Sequence, residues 1–293
     1  MAAVDLDFQR YVERRKGSKE ASAREGAAYA YSGDLRVLRT LDSISPVKLA
    51  VEATVRLWNT WAKGELLGTA IKVSPKQFPK ILALAESCSK TLHIQTPTVY
   101  IASAIGSLNA HTFGTNDDAY IVLHSALVDH LSEPELLSVI GHECGHIQNN
   151  HVVFSTALYY LLHAANRFLK WMVTPAVLAL QSWSRRAEIT CDRAGLICSR
   201  SLEVSQAALL KVSIGSKKLF EDLNVEALLQ QIEESKGGMG RFTELFATHP
   251  YLPKRIEALR LFAQSQFYCG LLGQEGGLTA EAVDARTAEL LAQ

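Results

Sequence analysis

The spacing of apolar residues predicts helix along most of the chain. Between residues 34 and 67, apolar side chains recur about every 3.6 positions, with a break at Ser45–Pro46. A second stripe with the same spacing runs from Phe78 to Leu92, and from Ser132 onward the pattern is almost entirely helical. We therefore expect helix to dominate the fold.

Three short runs rich in β-branched and aromatic residues interrupt this pattern. They are T-V-Y-I-A (Thr98–Ala102), S-L-N-A-H-T-F (Ser107–Phe113) and A-Y-I-V-L-H (Ala119–His124). The turn-rich segment G-T-N-D-D separates the last two and favours a hairpin. The predicted fold class is α+β, mostly helical with a small, mainly antiparallel sheet.

Composition and charge exclude several classes of protein. The 293 residues are 48% hydrophobic, enough for one large core or two modest ones. Thirty basic residues balance thirty acidic ones, so no global field favours nucleic acid as a partner. The five cysteines are odd in number and lack C-x-x-C spacing, which argues against a disulfide framework. Without a recognisable secretory signal, a cytoplasmic location is predicted.

Candidate chemistry lies on the helix predicted from Ser132. Glu135 completes a capping box with Ser132, and Leu136, Ile140 and Cys144 mark its buried side. Within V-I-G-H-E-C-G-H-I-Q-N-N-H, the side chains of His142 and His146 are four residues apart. They therefore share one helix face and can bind one metal ion at about 2.0–2.1 Å.

The glutamate of this H-E-x-x-H motif has a different predicted role. Glu143 projects beside the two histidines, too far round the helix to ligate readily. It is close enough to accept a proton from a water activated by the metal. The alternative is an ordinary helix whose polar face happens to hold these residues.

A catalytic zinc needs a third protein ligand and one open position. The metzincin pattern fails, because Asn149 and Val152 occupy its glycine and histidine positions. The later segment R-R-A-E-I-T-C-D-R-A-G offers Glu188 as the ligand and Asp192, one turn on, as an acceptor that orients a ligating imidazole. The alternative is an exposed helix face with arginines as charge partners (Arg185, Arg186 and Arg193).

These motifs resemble those of the gluzincin metallopeptidases that include HtpX-like heat-shock proteases and CAAX prenyl proteases. The resemblance runs from about Leu35 to Phe262 and also includes L-N-A-H-T-F-G, L-S-E-P-E-L-L-S-V-I-G and T-H-P-Y-L-P-K-R. It implies a zincin-like fold and a zinc-dependent endopeptidase with one Zn²⁺ per chain, acting on extended or unfolded polypeptides and with a role in protein quality control.

The resemblance also implies roles for residues outside the metal ligands. Asn109 and Ala110 would belong to an edge strand that aligns extended substrate. His249 would approach the oxyanion, and Arg255 would support the site. The alternative for His249 is a surface cap at a helix start between prolines. The rival function is a zinc-stabilised scaffold that binds peptides without cutting them.

The segment between His146 and Glu188 departs from the membrane-embedded relatives, which carry long transmembrane helices there. Two apolar runs of about 14 and 13 residues are split by Arg167 and Lys170, and each is too short to span a bilayer. We expect a helical hairpin over residues 152–183 that packs on the protein. Membrane-surface contact on the cytoplasmic side, with anchors at Trp171 and Trp183, and homo-oligomer contact are the alternatives.

The chain is expected to divide into three parts. Residues 1–70 form a helical arm packed on the catalytic domain, residues 71–269 form the metallopeptidase domain, and residues 270–293 form a glycine-rich linker and a short helix starting near Thr279. Two alternatives stay open for this tail. It is disordered, or Val283, Leu290 and Leu291 dock its helix over the cleft and restrain the enzyme.

Overall fold

The computed structural model describes residues 27–41, 47, 49, 51–53, 56, 64, 68–103, 108–115, 118–164, 170–234 and 252–292. Most of the predicted N-terminal arm and the segment that contains His249 lie outside these residues.

The described elements up to the H-E-x-x-H motif alternate between helix and a small sheet. In chain order they are α1 (Ser32–Leu41), β1 (Ile71–Lys72), α2 (Pro79–Leu92), β2 (Thr98–Ala102), β3 (Ala110–Thr115), β4 (Asp118–His124), α3 (Ser125–His130) and α4 (Glu133–Gln148).

The elements after the motif are helical. They are α5 (Val152–Ala164), α6 (Lys170–Ser199), α7 (Leu202–Ile214), α8 (Lys217–Glu221), α9 (Val225–Glu234), α10 (Leu252–Ala263), α11 (Gln266–Leu271) and α12 (Ala280–Ala292). The predicted predominance of helix is confirmed.

The sheet is mixed, so the prediction of a mainly antiparallel sheet needs correction. Its strand order is β1-β2-β4-β3, and the central pair β2–β4 is parallel while the two outer pairs are antiparallel. Both central strands carry nearly continuous buried apolar runs, which favour a position with a neighbour on each side. Pairing between β2 and β4 is non-local, and therefore the local hairpin signal could not predict it.

Helices α4 and α6 approach each other unusually closely because glycines line their contact. A Cβ atom at Gly145 would lie 2.7 Å from Cβ of Ala194, and one at Gly141 would lie 2.7 Å from Cβ of Cys198. On the α6 side, a Cβ atom at Gly195 would lie 2.7 Å from the main-chain oxygen of Ser138. Only small side chains, such as those of Ala194 and Cys198, therefore lie between the two main chains.

The two largest clusters of buried side chains hold most of the described elements together. The larger one joins the sheet to α2, α4, α6 and α10 through residues such as Ile121, Leu123, Ile140 and Leu196. The smaller one joins the base of the α5–α6 hairpin to α1. The site described below lies where the sheet, α4 and α6 meet.

The hairpin is partly core, and its second arm does not end before Glu188. Helix α6 continues for 30 residues from Lys170 to Ser199, so one helix carries both the apolar arm and the acidic motif. Trp183 is fully buried and its Nε1–H donates to Asp34 at 2.9 Å, so its predicted role as an interfacial anchor is wrong. Among the described residues, no helix combines the length and the apolar character needed to cross a membrane.

The C-terminal residues form the docked helix α12, which rules out the disordered alternative. Val283 and Leu290 are buried, and α12 packs on α10 and α1. The carboxylate of Asp284 accepts hydrogen bonds from Ser32 N at 2.9 Å and from Arg193 Nη2 at 2.8 Å. The tail is therefore fastened to both the N-terminal segment and α6.

Candidate metal centre and active site

Helix α4 places both histidines at the wall of one cavity. The capping box forms as predicted, with Ser132 N donating to the Glu135 carboxylate at 2.8 Å. The rings of His142 and His146 lie on one face with their centroids 5.2 Å apart. Both rings, together with Glu143, line a cavity of about 640 Å³.

Helix α6 brings Glu188 to the same point. Its Oε2 lies 3.6 Å from Nε2 of His142, and its Oε1 lies 3.5 Å from Nε2 of His146. Both distances exceed the usual range for an N–H···O hydrogen bond, about 2.7–3.2 Å. Donor atoms that share a tetrahedral zinc at about 2.0–2.1 Å lie roughly 3.3 Å apart. Each histidine therefore lies at a ligand-like distance from one oxygen of Glu188, and a different oxygen faces each ring.

Asp192 and Arg255 contact these candidate ligands. Asp192 Oδ1 lies 3.0 Å from Nδ1 of His142 and accepts from Arg255 Nη2 at 2.7 Å, while Oδ2 accepts from Arg255 Nε at 2.8 Å. Arg255 Nη2 also lies 3.1 Å from Oε2 of Glu188. A proton on Nδ1 of His142 leaves its Nε2 lone pair available for a metal.

The charge balance of the site favours a cation. Three buried carboxylates line the cavity, those of Glu143, Glu188 and Asp192. Among the described residues that line it, Arg255 is the only arginine or lysine. Burial lowers the pKa of His142, but the hydrogen bond to Asp192 and the charge of Glu188 outweigh burial and raise it overall. The surroundings of His142 therefore stabilise positive charge, which a divalent metal also supplies.

Cys191 offers a second donor set with the same histidines. Ligand atoms of His142, His146 and Cys191 all lie within 4.8 Å of one another. Cys191 is fully buried, however, and is not among the described residues that line the cavity, whereas Glu188 is. Glu188 is thus the better third ligand for a site open to substrate.

A buried polar chain lies behind the second histidine. The His151 ring packs edge-on against the His146 ring, with centroids 5.4 Å apart, and its Nε2 lies 3.0 Å from Asp34 Oδ2. Thr190 Oγ1 also donates to Asp34, at 2.7 Å. Burial raises the pKa of Asp34, but the nearby His151 and these hydrogen bonds outweigh it and lower the pKa overall. Asp34 therefore ties helix α1 to residues behind the candidate metal site.

Strand β3 forms the cavity wall opposite the ligands and lies at one edge of the sheet. The Asn109 carbonyl oxygen accepts from His124 N at 3.0 Å, so odd-numbered residues of β3 turn their main chains toward β4. Even-numbered residues face the other side, where Gly114 N donates to Thr156 Oγ1 at 3.3 Å. The side chain of Asn109 accepts from Ala110 N at 2.9 Å. Between these two positions, the main chain of Thr112 points to the free edge.

Sequence reasoning missed one contact at Glu143, the candidate general base. The Thr112 hydroxyl lies 2.6 Å from Oε2 of Glu143. Its strand position in L-N-A-H-T-F-G was visible, but the pairing with a residue 31 positions later was not. Conversely, the structure brings together His142, His146, Glu143, Glu188, Asp192 and Arg255 as one cluster, while His249 lies outside the described residues.

A helix with two histidines and a glutamate, a facing carboxylate and an open cavity beside an edge strand define a metallopeptidase. Residues 75–263 match the model of peptidase family M48. The chain therefore belongs to peptidase family M48.

Individual relatives agree with this assignment. The chain is 30% identical over 171 residues to plastoglobule-localized metallopeptidase 48 of Arabidopsis thaliana, covering 57% of this chain and 49% of that protein. It is 29% identical to protease HtpX of Photorhabdus laumondii, covering 61% of this chain and 72% of that protein. A protease HtpX homolog of Halobacterium salinarum is 27% identical, with 63% and 78% covered. The chain thus spans about half the length of the plant relative and about three quarters of the other two.

Proposed function

We propose that this protein is a zinc-dependent endopeptidase that cleaves extended or unfolded polypeptides. The observation that carries the proposal is the convergence of His142, His146 and Glu188 beside Glu143 at an open cavity. Two imidazole nitrogens and one carboxylate oxygen are a typical catalytic zinc set, which leaves a fourth position for water or substrate.

The residues divide the chemistry between binding and proton transfer. A zinc ion held by His142, His146 and Glu188 would supply Lewis-acid activation of water and of the peptide carbonyl. Glu143 accepts the proton of the attacking water and delivers it to the leaving amine. Asp192 and Arg255 hold the ligands in orientation. His249 is proposed to stabilise the oxyanion, a role that rests on the motif resemblance alone.

Substrate binding is proposed to use the free edge of β3. An extended peptide can pair with main-chain groups there, and this requires no particular side-chain sequence. Asn109 and Ala110 lie at the start of this edge, although the Asn109 side chain already accepts from Ala110 N. Apolar cavity-lining side chains on α5 and α7, such as Leu158, Leu162 and Leu209, favour apolar substrate residues. Unfolded polypeptides expose such residues, which supports a quality-control role.

Part of the α5–α6 hairpin surface is proposed to contact a partner. Tyr159, Leu162 and Leu178 are each between 38% and 42% exposed, although the base of the hairpin is core. These side chains support contact with a membrane surface or a second copy of the chain. A cytoplasmic location is part of the same proposal.

Replacing Glu143 by glutamine tests the proposed function, because the variant keeps every proposed ligand and removes the base. Zinc content, measured by elemental analysis, should stay near one per chain, while cleavage of unfolded casein falls by about 10²-fold or more. Glu86→Gln, an exposed change on α2, serves as the matched control and should cut normally. Equal cleavage by Glu143→Gln and wild type would refute the mechanism and favour the peptide-binding scaffold.

A further inference from the structure

The hydroxyl of Thr112 is placed to fix the carboxylate of Glu143. The two side chains are buried, with 7% and 6% of their residues' surface exposed, and Oγ1 lies 2.6 Å from Oε2. The same hydroxyl lies 3.2 Å from the main-chain oxygen of Glu143. A threonine hydroxyl has one proton, and the shorter contact to the charged acceptor is the stronger one.

This contact decides which carboxylate oxygen remains available. Among the described residues, no other side chain donates a hydrogen bond to the Glu143 carboxylate. With one lone pair of Oε2 engaged by Thr112, Oε1 is the oxygen that keeps both lone pairs available to water. The terminal torsion of a glutamate is broad, so without the hydroxyl the carboxylate would sample many orientations.

Thr112 also connects this carboxylate to the strand that faces substrate. Its main chain points to the free edge of β3, between the positions where Asn109 and Thr156 already bond to the strand. A peptide paired at this edge would therefore contact the main chain of the same residue whose side chain holds the base. Substrate alignment and base alignment would then depend on one rigid strand position.

We propose that Thr112 is a positioning residue for Glu143, which keeps the general base oriented toward the scissile bond. This inference rests on the proposed peptidase function. The competing explanation is that Thr112 merely satisfies a buried hydroxyl and contributes only to stability. Valine has nearly the same shape as threonine and no hydroxyl. The positioning role predicts that Thr112→Val lowers kcat, whereas a purely structural role predicts a change in stability alone.

The first experiment compares Thr112→Val and Thr112→Ser with wild type. Thr112→Val should lower kcat roughly 10- to 100-fold, the scale expected for losing a hydrogen bond to a functional charged group. KM for a fixed peptide and the zinc content should stay within about twofold. Thr112→Ser keeps the hydroxyl and should recover most of kcat. The matched control is Thr287→Val, a buried threonine of α12 that bonds only within its own helix and should leave kcat unchanged.

The second experiment separates positioning from a change in cavity shape. The affinity of a peptide hydroxamate for the zinc-loaded protein is measured by calorimetry in wild type, Thr112→Val, Glu143→Ala and the double variant. If Thr112 acts through Glu143, Thr112→Val weakens binding in wild type but has no further effect once Glu143 is removed.

Each outcome of these experiments has a definite meaning. Equal weakening by Thr112→Val with and without Glu143 would overturn the positioning role, as would a kcat that Thr112→Ser does not restore. A wild-type protein that binds zinc and hydroxamate yet cleaves nothing would instead overturn the proposed function. The affinity comparison would still decide the role of Thr112 in that case.

Discussion

Glu188 and Cys191 lie one turn apart on α6 and approach the same pair of histidines. The residue types alone do not choose between them, because both are common zinc ligands. What distinguishes them is direction, since Glu188 faces the cavity and Cys191 faces the contact between α4 and α6. Ligation by Glu188 would therefore leave a position of the metal open to substrate.

Replacement of each candidate ligand separates the two donor sets. Glu188→Ala should lower zinc affinity by at least about 10-fold and lower the melting temperature of the zinc-loaded protein, because metal-binding energy is coupled to folding. Cys191→Ser should keep zinc content near one per chain. The measurement is zinc competition against a chelating dye. Loss of zinc in Cys191→Ser with retention in Glu188→Ala would assign the cysteine as ligand.

Much of the site was predictable at this scale, for a physical reason. Side chains four residues apart on a helix share one face in any fold that keeps the helix. The pairs His142 with His146 and Glu188 with Asp192 could therefore be predicted from spacing alone. The hydrogen bond from Thr112 to Glu143 and the close contact between His151 and Asp34 join elements distant in the chain. No local pattern encodes such pairings, which arise only when the sheet packs on α4 and α1 packs on α6.

At the scale of elements, α4 depends on how it begins. Glu135 accepts from Ser132 N and from Lys211 Nζ, the latter at 2.7 Å, so one carboxylate caps α4 and joins it to α7. Burial raises the pKa of Glu135, but the hydrogen bonds from Lys211 and Ser132 outweigh it and lower the pKa overall. The ionised form is therefore preferred in the folded state.

This preference predicts a pH-dependent contribution to stability. A lowered folded-state pKa stabilises the protein above the ordinary glutamate value, about 4.3, and that contribution is lost as pH falls through the folded-state pKa. Glu135→Gln should lower the free energy of unfolding by about 1–2 kcal/mol at pH 7. The difference from wild type should shrink below pH about 4 in urea titrations. The exposed Glu203→Gln is the control, and a pH-independent difference would contradict the prediction.

Element order was less predictable than element type. The three strand runs and the helix starts are local, and their lengths and caps follow from composition. The parallel pairing of β2 with β4 depends on which strands can be buried on both sides, which is a property of the assembled sheet. Likewise, the continuity of α6 through Pro175 could not be predicted from an apolar run that ends near Trp183.

At the scale of the whole molecule, segments outside the family match pack against elements inside it. The match covers residues 75–263, yet α1 and α12 both pack on the catalytic elements. Arg193 of α6 joins α12 to the segment just before α1, because it donates to Tyr29 O at 3.0 Å and to Asp284 at 2.8 Å. No described residue of α12 lines the cavity, so a restraint by docking over the cleft lacks support.

Breaking this connection should affect stability and not catalysis. Asp284→Ala leaves the buried guanidinium of Arg193 without its carboxylate and should lower the free energy of unfolding by about 2–4 kcal/mol. Activity on unfolded casein, measured well below the melting temperature, should stay within about twofold. Glu289→Ala, exposed on the same helix, is the control. A clear rise in activity in Asp284→Ala, with none in Glu289→Ala, would instead support the hypothesis that α12 restrains the enzyme.

The close approach of α4 and α6 also limits which sequences could encode this site. In H-E-C-G-H the two positions that the general motif leaves variable are Cys144 and Gly145, and Cys144 is fully buried. A single methyl group at Gly145 would stand 2.7 Å from Ala194, and therefore even alanine would force the two helices apart. For a designer of variants, this pentapeptide offers almost no freedom, and useful diversity must be sought on the cavity walls contributed by α5 and α7.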